Sequence, residues 1–140
     1  MARPETLSPD EQLEVFVNEV ETSLGKERPE IVVDYPIAMA SLAQPCAHDP
    51  TLAERAELYI AGIELANAFG ELVNSEEQRR RCEGDNEERA RLGLPELPID
   101  EDFLSALHQG LPPTGGIALG LDRLMMLLCD VTTIDEVVCF

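Results

Sequence analysis

At 140 residues the chain fits one domain, large enough to close a hydrophobic core without metal or disulfide staples. Its 44% hydrophobic and 27% charged content suits a soluble globular protein, and no run of about 18 apolar residues is available to span a membrane. The formal net charge is -18, with 10 Lys and Arg facing 28 Asp and Glu, so the basic footprint that nucleic-acid phosphates require is missing; a basic protein partner, or simply a solvated acidic surface, suits it better.

The first ten residues lack the basic-then-apolar order of a secretory signal. Ser8-Pro9-Asp10-Glu11 has the form of a capping box with Pro at the first helical position. It predicts a helix whose apolar face is Leu13, Phe16, Val17, Val20 and Leu24, ended by Gly25. Ile31-Val32-Val33-Asp34-Tyr35 before Pro36 reads as a strand, and residues 41 to 50 as a loop. Residues 55 to 72 are strand-like, with Ala61-Gly62 as the turn signal inside them.

Asn74 with Glu77 starts a polar helix running to Arg91, read as an exposed surface helix or a partly disordered insertion. Asp100 caps a short helix through Leu107. Residues 117 to 121 are a buried-strand candidate leading into a helix over 122 to 128, whose residues from Leu124 to Leu128 read as core. Val137-Val138-Cys139-Phe140 closes the sequence on an apolar run. Strands joined by short turns, with helices in blocks, predict an α+β fold: an antiparallel sheet with flanking helices.

Cys46, Cys82, Cys129 and Cys139 are widely spread, and His48 and His108 stand far apart in sequence. That spacing predicts no zinc cluster and reduced cytosolic thiols. No Ser/His/Asp or Cys/His nucleophile arrangement can be drawn from it.

If Ala61-Gly62 closes a two-residue hairpin, Tyr59 faces Glu64 and Glu57 faces Ala66. Glu57, Tyr59, Glu64 and Ala66 then share one face, while Leu58, Ile60, Ile63 and Leu65 share the other as the core face. The two carboxylates sit on diagonal positions, roughly 7–8 Å apart at the backbone, and need a compensating charge. Arg55 is one candidate and a hard divalent cation is the other. Magnesium takes one or two protein carboxylates plus substrate phosphate oxygens, which would make an ATP site without a P-loop; the alternative is two solvated acids on an exposed sheet. Asn67, Phe69 and Glu71 have the wrong parity for that face unless a bulge falls near Ala66 or Asn67. With the bulge, Glu71 offers an anion to an ammonium group, Phe69 an apolar wall, and Asn67 a donor and an acceptor.

Thr114-Gly115-Gly116-Ile117-Ala118-Leu119-Gly120-Leu121-Asp122-Arg123 puts glycines beside a strand and an arginine just inside a helix. Glycines let a flat base or a phosphate approach the backbone, and the planar fork of Arg123 suits a triphosphate. The competing reading is a tight packing turn, with Arg123 exposed or paired with Asp122.

The run from Glu54 to Leu72 is similar to the segment before motif 3 of lysyl-tRNA synthetases, and residues 114 to 124 resemble motif 3 of class II synthetases. The resemblance implies that Glu57 and Glu64 bind magnesium with ATP, that Gly116 and Gly120 floor the adenine, and that Arg123 is the catalytic contact to the γ-phosphate. It also implies that Ala66, Asn67, Phe69 and Glu71 line the amino-acid pocket, with Glu71 meeting the lysine ε-ammonium. Ala66 in place of a glycine, Ser41-Leu42-Ala43-Gln44, and Arg91-Leu92-Gly93-Leu94-Pro95 resemble the shorter paralogue that attaches (R)-β-lysine to elongation factor P.

The implied function is ATP-dependent activation of lysine or β-lysine for transfer to elongation factor P, in a cytoplasmic homodimer with ATP and Mg2+ as cofactors and no membrane partner. A lysine–tRNA ligase fragment and a non-catalytic ligand-binding paralogue stay open as alternatives. Motif 1 and motif 2 have no counterpart in residues 1–140. The chain is therefore expected to be the C-terminal part of the catalytic domain, from a fragment, a split gene or a truncated form, and inactive by itself.

Overall fold

The computed structural model describes residues 9 to 138, apart from the side chains of residues 9, 10 and 12. The expected Ser8–Glu11 capping box and the last apolar residues, Cys139 and Phe140, lie outside the described residues. Four strands form one sheet: β1 (Glu30–Pro36), β2 (Leu52–Ile60), β3 (Ile63–Gly70) and β4 (Gly115–Leu119), in the spatial order β1-β2-β3-β4. Among the described residues, four α-helices accompany them: α1 (Pro9–Val15), α2 (Ser75–Arg91), α3 (Glu101–His108) and α4 (Leu121–Cys129). The class is α+β, as the order of elements predicts.

The hairpin closes where the sequence places it. Ala61 (φ 55) and Gly62 (φ 79) are both left-handed, which gives the turn the twist that a two-residue hairpin needs. The helix predicted up to Leu24 changes pitch along its length, from α1 to a π turn at Phe16–Val20 and a 3-10 turn at Glu21–Ser23. It stops at Gly25 (φ 69), where an added Cβ would stand 2.8 Å from Ile60 Cα, so only glycine fits. Gly25 and Leu24 then hold the hairpin turn: the Ala61 amide donates to Gly25 O at 2.7 Å and the Gly62 amide to Leu24 O at 2.8 Å.

Two compact units share the chain. The first holds the chain up to Val33, Ala56–Ala68, and the chain from Ile117 onward. Its buried residues include Glu57, Tyr59, Leu65, Ala66 and Met126. The core face was expected on the Leu58 and Ile60 side of β2, but burial is deepest on the other: Tyr59 is 1% and Glu57 4% exposed. Of the buried strand expected over 117 to 121, residues 117 to 119 lie in β4, Gly120 precedes α4 and Leu121 begins it, and the strand is not buried, since Ile117 is 73% exposed. β4 ends the sheet and is paired on one side only, so its side chains lack neighbours there. The expected core helix behaves likewise, with Met126 buried and Leu128 71% exposed.

The second unit holds Asp34–Arg55 and Phe69–Gly116. Ala40, Ala43 and Ala53 form a small-residue core against which Phe69 packs. The loop expected over 41 to 50 includes a strand-like stitch: Gln44 donates to Gly70 O (2.7 Å), Leu72 to Leu42 O (2.9 Å) and Cys46 to Leu52 O (2.9 Å). α2 is ordered and capped by the Asn74 side chain, which accepts from the Glu77 amide. Arg81 anchors it by donating to the carbonyls of Ser41 and Ala43, each at 2.8 Å. Asp100 caps α3 by accepting from the Phe103 amide, as its position predicts.

Candidate active-site residues

In the first unit, three side chains from the hairpin come together. Glu57 accepts the Tyr59 hydroxyl at 2.6 Å on one oxygen and the Asn67 amide at 2.8 Å on the other. The same Asn67 nitrogen lies 3.4 Å from Glu64 Oε1, so one amide braces both carboxylates. Strict alternation would send Asn67 to the opposite face from Glu57 and Glu64. Leu65 and Ala66, adjacent in β3, are both buried, so burial does not alternate strictly there, and the Asn67 amide reaches both carboxylates. Ala66 itself is 4% exposed, so its methyl is enclosed by protein.

Arg123 extends from the first turn of α4 to the Glu64 carbonyl (2.7 Å) and to its carboxylate (3.3 Å), rather than to Asp122. Gly120 lies beside this reach: a Cβ there would stand 3.4 Å from Arg123 Cδ, an ordinary contact with the arginine stem. The Gly120 amide donates to Leu65 O at 2.9 Å and ties the start of α4 to β3. Asn67 Oδ1 is buried and accepts no hydrogen bond, which leaves an acceptor beside the two carboxylates.

The second unit carries Phe69, Glu71 and Gly116. The Glu71 amide donates to Thr114 O at 3.0 Å, and the position a Cβ at Gly116 would take overlaps Glu71 Oε1. Gly116 therefore gives the Glu71 carboxylate its space. Phe69 packs on the alanine core and lies under Arg55, whose guanidinium carbon is 5.7 Å from its ring centre and 4.7 Å from that of Tyr35. Arg55 donates to Met39 O at 2.6 Å and reads as a packing arginine of the second unit as well as a candidate countercharge.

Two features escaped sequence reasoning. Tyr59 had been placed on the acidic face without a role, and its hydroxyl proves to be a direct partner of Glu57. The second is a proximity that spacing did not suggest: ligand atoms of Asp34, Cys46 and His48 all lie within 4.8 Å of one another. Cys46-x-His48 was the available signal, but Asp34 joins it only through the fold. Burial pushes the Cys46 thiol up, and the adjacent Asp34 adds to the effect.

Comparison with known proteins gives the family. Residues 4–140 match the family described as tRNA synthetases class II (D, K and N). The elongation factor P–(R)-β-lysine ligase of Proteus mirabilis (strain HI4320) is 49% identical over 126 residues, covering 90% of this chain and 39% of that protein. The protein of the same name from Edwardsiella ictaluri (strain 93-146) gives the same identity and coverage. The chain thus spans about two fifths of the length of these relatives. With the hairpin, the glycine-flanked strand and the arginine of α4 in place, the chain belongs to the class II tRNA synthetase family of the D, K and N type.

Proposed function

We propose that residues 1–140 act as the C-terminal part of a catalytic domain that uses ATP to activate a lysine-type amino acid for transfer to elongation factor P. The observation that carries this reading is the Asn67 brace, which holds Glu57 and Glu64 together while Glu64 also engages Arg123. Two hard carboxylate donors on paired strands fit magnesium, which leaves its other positions to phosphate oxygens and water. The unpaired Asn67 Oδ1 fits a donor from a ligand. When bound, ATP with magnesium would supply the adenylyl group for activating a carboxylate, with pyrophosphate as the leaving group.

The chain's own residues position and neutralise. Glu57 and Glu64 would hold the cation, and Arg123 would present its planar fork to the terminal phosphate. Glu71 receives the far ammonium of the amino acid, Gly116 keeps the space that carboxylate occupies, and Phe69 supplies an apolar wall. Ala66 is enclosed, so it tunes specificity by setting where the adjacent Asn67 stands. The resemblance carries the remaining parts of the reading, a cytoplasmic homodimer. By itself the 140-residue chain binds ATP–magnesium without forming an adenylate, because residues matching motif 2 are not among its own.

The test grafts this segment into the Proteus mirabilis ligase in place of the matching 126 residues. The chimera is expected to transfer (R)-β-lysine to elongation factor P, and Glu57→Gln or Glu64→Gln to abolish transfer. A folded chimera that charges tRNA with lysine instead would replace this reading with the tRNA-ligase one. A folded chimera without ATP–magnesium affinity would leave a non-catalytic module.

A further inference from the structure

We propose that Asp34, Cys46 and His48 form a zinc-type metal site, independent of the magnesium reading above. All three residues lie in the second unit, and one donor atom from each falls within 4.8 Å of the others. Cys46 Sγ stands 3.7 Å from Asp34 Oδ1. A tetrahedral zinc with bonds of about 2.3 Å to sulfur and about 2.1 Å to oxygen sets those two atoms roughly 3.6 Å apart. The thiol–carboxylate edge is therefore already at ligand spacing, and a swing of the exposed His48 ring closes the remainder.

The donor set is mixed, which separates it from an ordinary surface cluster of acids. A buried thiol, an imidazole and a carboxylate are a borderline-soft combination that selects zinc over magnesium or calcium. Metal binding takes the proton from the Cys46 thiol to solvent and leaves the thiolate as ligand. Three protein ligands leave a fourth tetrahedral position, open to water because Asp34 and His48 are exposed.

The backbone under the ligands is tied down. Cys46 donates to Leu52 O at 2.9 Å, and the turn after His48 is fixed by Asp49, which accepts from both the Thr51 amide (2.9 Å) and hydroxyl (2.7 Å). Asp34 is a left-handed residue (φ 57) inside β1. A metal here would pin β1 to the Leu42–Cys46 stitch, whose other bonds go to Gly70 and Leu72.

Cobalt(II) reports the site directly, since a cobalt–thiolate bond gives a near-ultraviolet charge-transfer band. The 140-residue chain, reduced and metal-free, is titrated with cobalt(II) in excess magnesium, then with zinc(II) in competition. One cobalt per chain, a thiolate band, and displacement by zinc are expected. His48→Gln changes an exposed side chain, so its metal-free melting curve should match the wild type while cobalt affinity falls at least about tenfold. Cys46→Ser should lose the band. No thiolate band in the wild type, unchanged affinity in His48→Gln, or a band surviving Cys46→Ser would each overturn the proposal.

Discussion

Two glutamates, one in each unit, are held in opposite ways. Glu57 in the first unit is gripped by a phenol and an amide. Glu77 in the second is gripped by Arg80 at 2.7 Å and Arg81 at 2.9 Å. A neutral donor fixes where a carboxylate points and leaves its charge available, whereas a guanidinium fixes it and cancels the charge. The Glu77 charge is thus closed within α2 and serves the stability of that helix. On the hairpin, Arg123 approaches Glu64 Oε2 at a looser 3.3 Å than either arginine on Glu77.

The largest test of that contrast sets two arginines against each other in the chimera. Arg123→Ala should lower transfer to elongation factor P by about 10²–10³-fold, the effect of removing one preorganised donor from a developing charge. Arg80→Ala, in the second unit, should leave the rate within about twofold, since exposed ion pairs contribute little. Equal effects on kcat would break the distinction. Next, Tyr59→Phe leaves Glu57 short of a donor and should cost about 1–3 kcal/mol in urea unfolding. A loss well below that would mean the phenol does not restrain the carboxylate.

Ala66→Gly should move the ratio of kcat/KM for α-lysine over β-lysine upward by about tenfold, the low end for one methyl, because the methyl is enclosed and acts through Asn67. An unchanged ratio removes Ala66 from specificity. The smallest effect belongs to the arginine-held glutamate. Hydrogen bonding to Arg80, with that of Arg81 behind it, lowers Glu77 from an ordinary 4.5 to about 2. A carboxyl depressed in the folded state contributes stability above its unfolded value and loses it as pH falls, here between 4.5 and about 2. Glu77→Gln should flatten the acid limb of the stability curve over that window by about 1 kcal/mol, discounted because Arg80 is exposed. An unaltered limb would mean the pair contributes nothing.

How far these arrangements could be read in advance differs along the chain. Caps and turns were legible because they are local: Asn74 and Asp100 accept from the amides their spacing names, and Ala61-Gly62 closes the hairpin. The bulge was legible only as a condition, since parity says that Asn67 needs one but not that it has one. Burial was misread on β2 and β4. A period of two separates faces without saying which is inside, and Tyr59 with Glu57 went deeper than the aliphatic side. Arg123 was legible as an arginine just inside a helix, yet its partner Glu64 is 59 residues away, beyond any local rule. The cluster of Asp34 with Cys46 and His48 was missed for the same reason, being made by a strand meeting a loop.

Sequence separation also sets an order of assembly. Glu57 and Asn67 are ten residues apart across a two-residue turn, and a hairpin of that kind forms in about 1–10 μs. Arg123 must wait for a loop of 59 residues to close before it meets Glu64. The acidic end of the site is thus built before its arginine arrives. During that interval two carboxylates face each other with only an amide between them. On the proposed magnesium reading, a divalent cation in the refolding medium would meet both carboxylates in a partly folded chain, before the arginine docks.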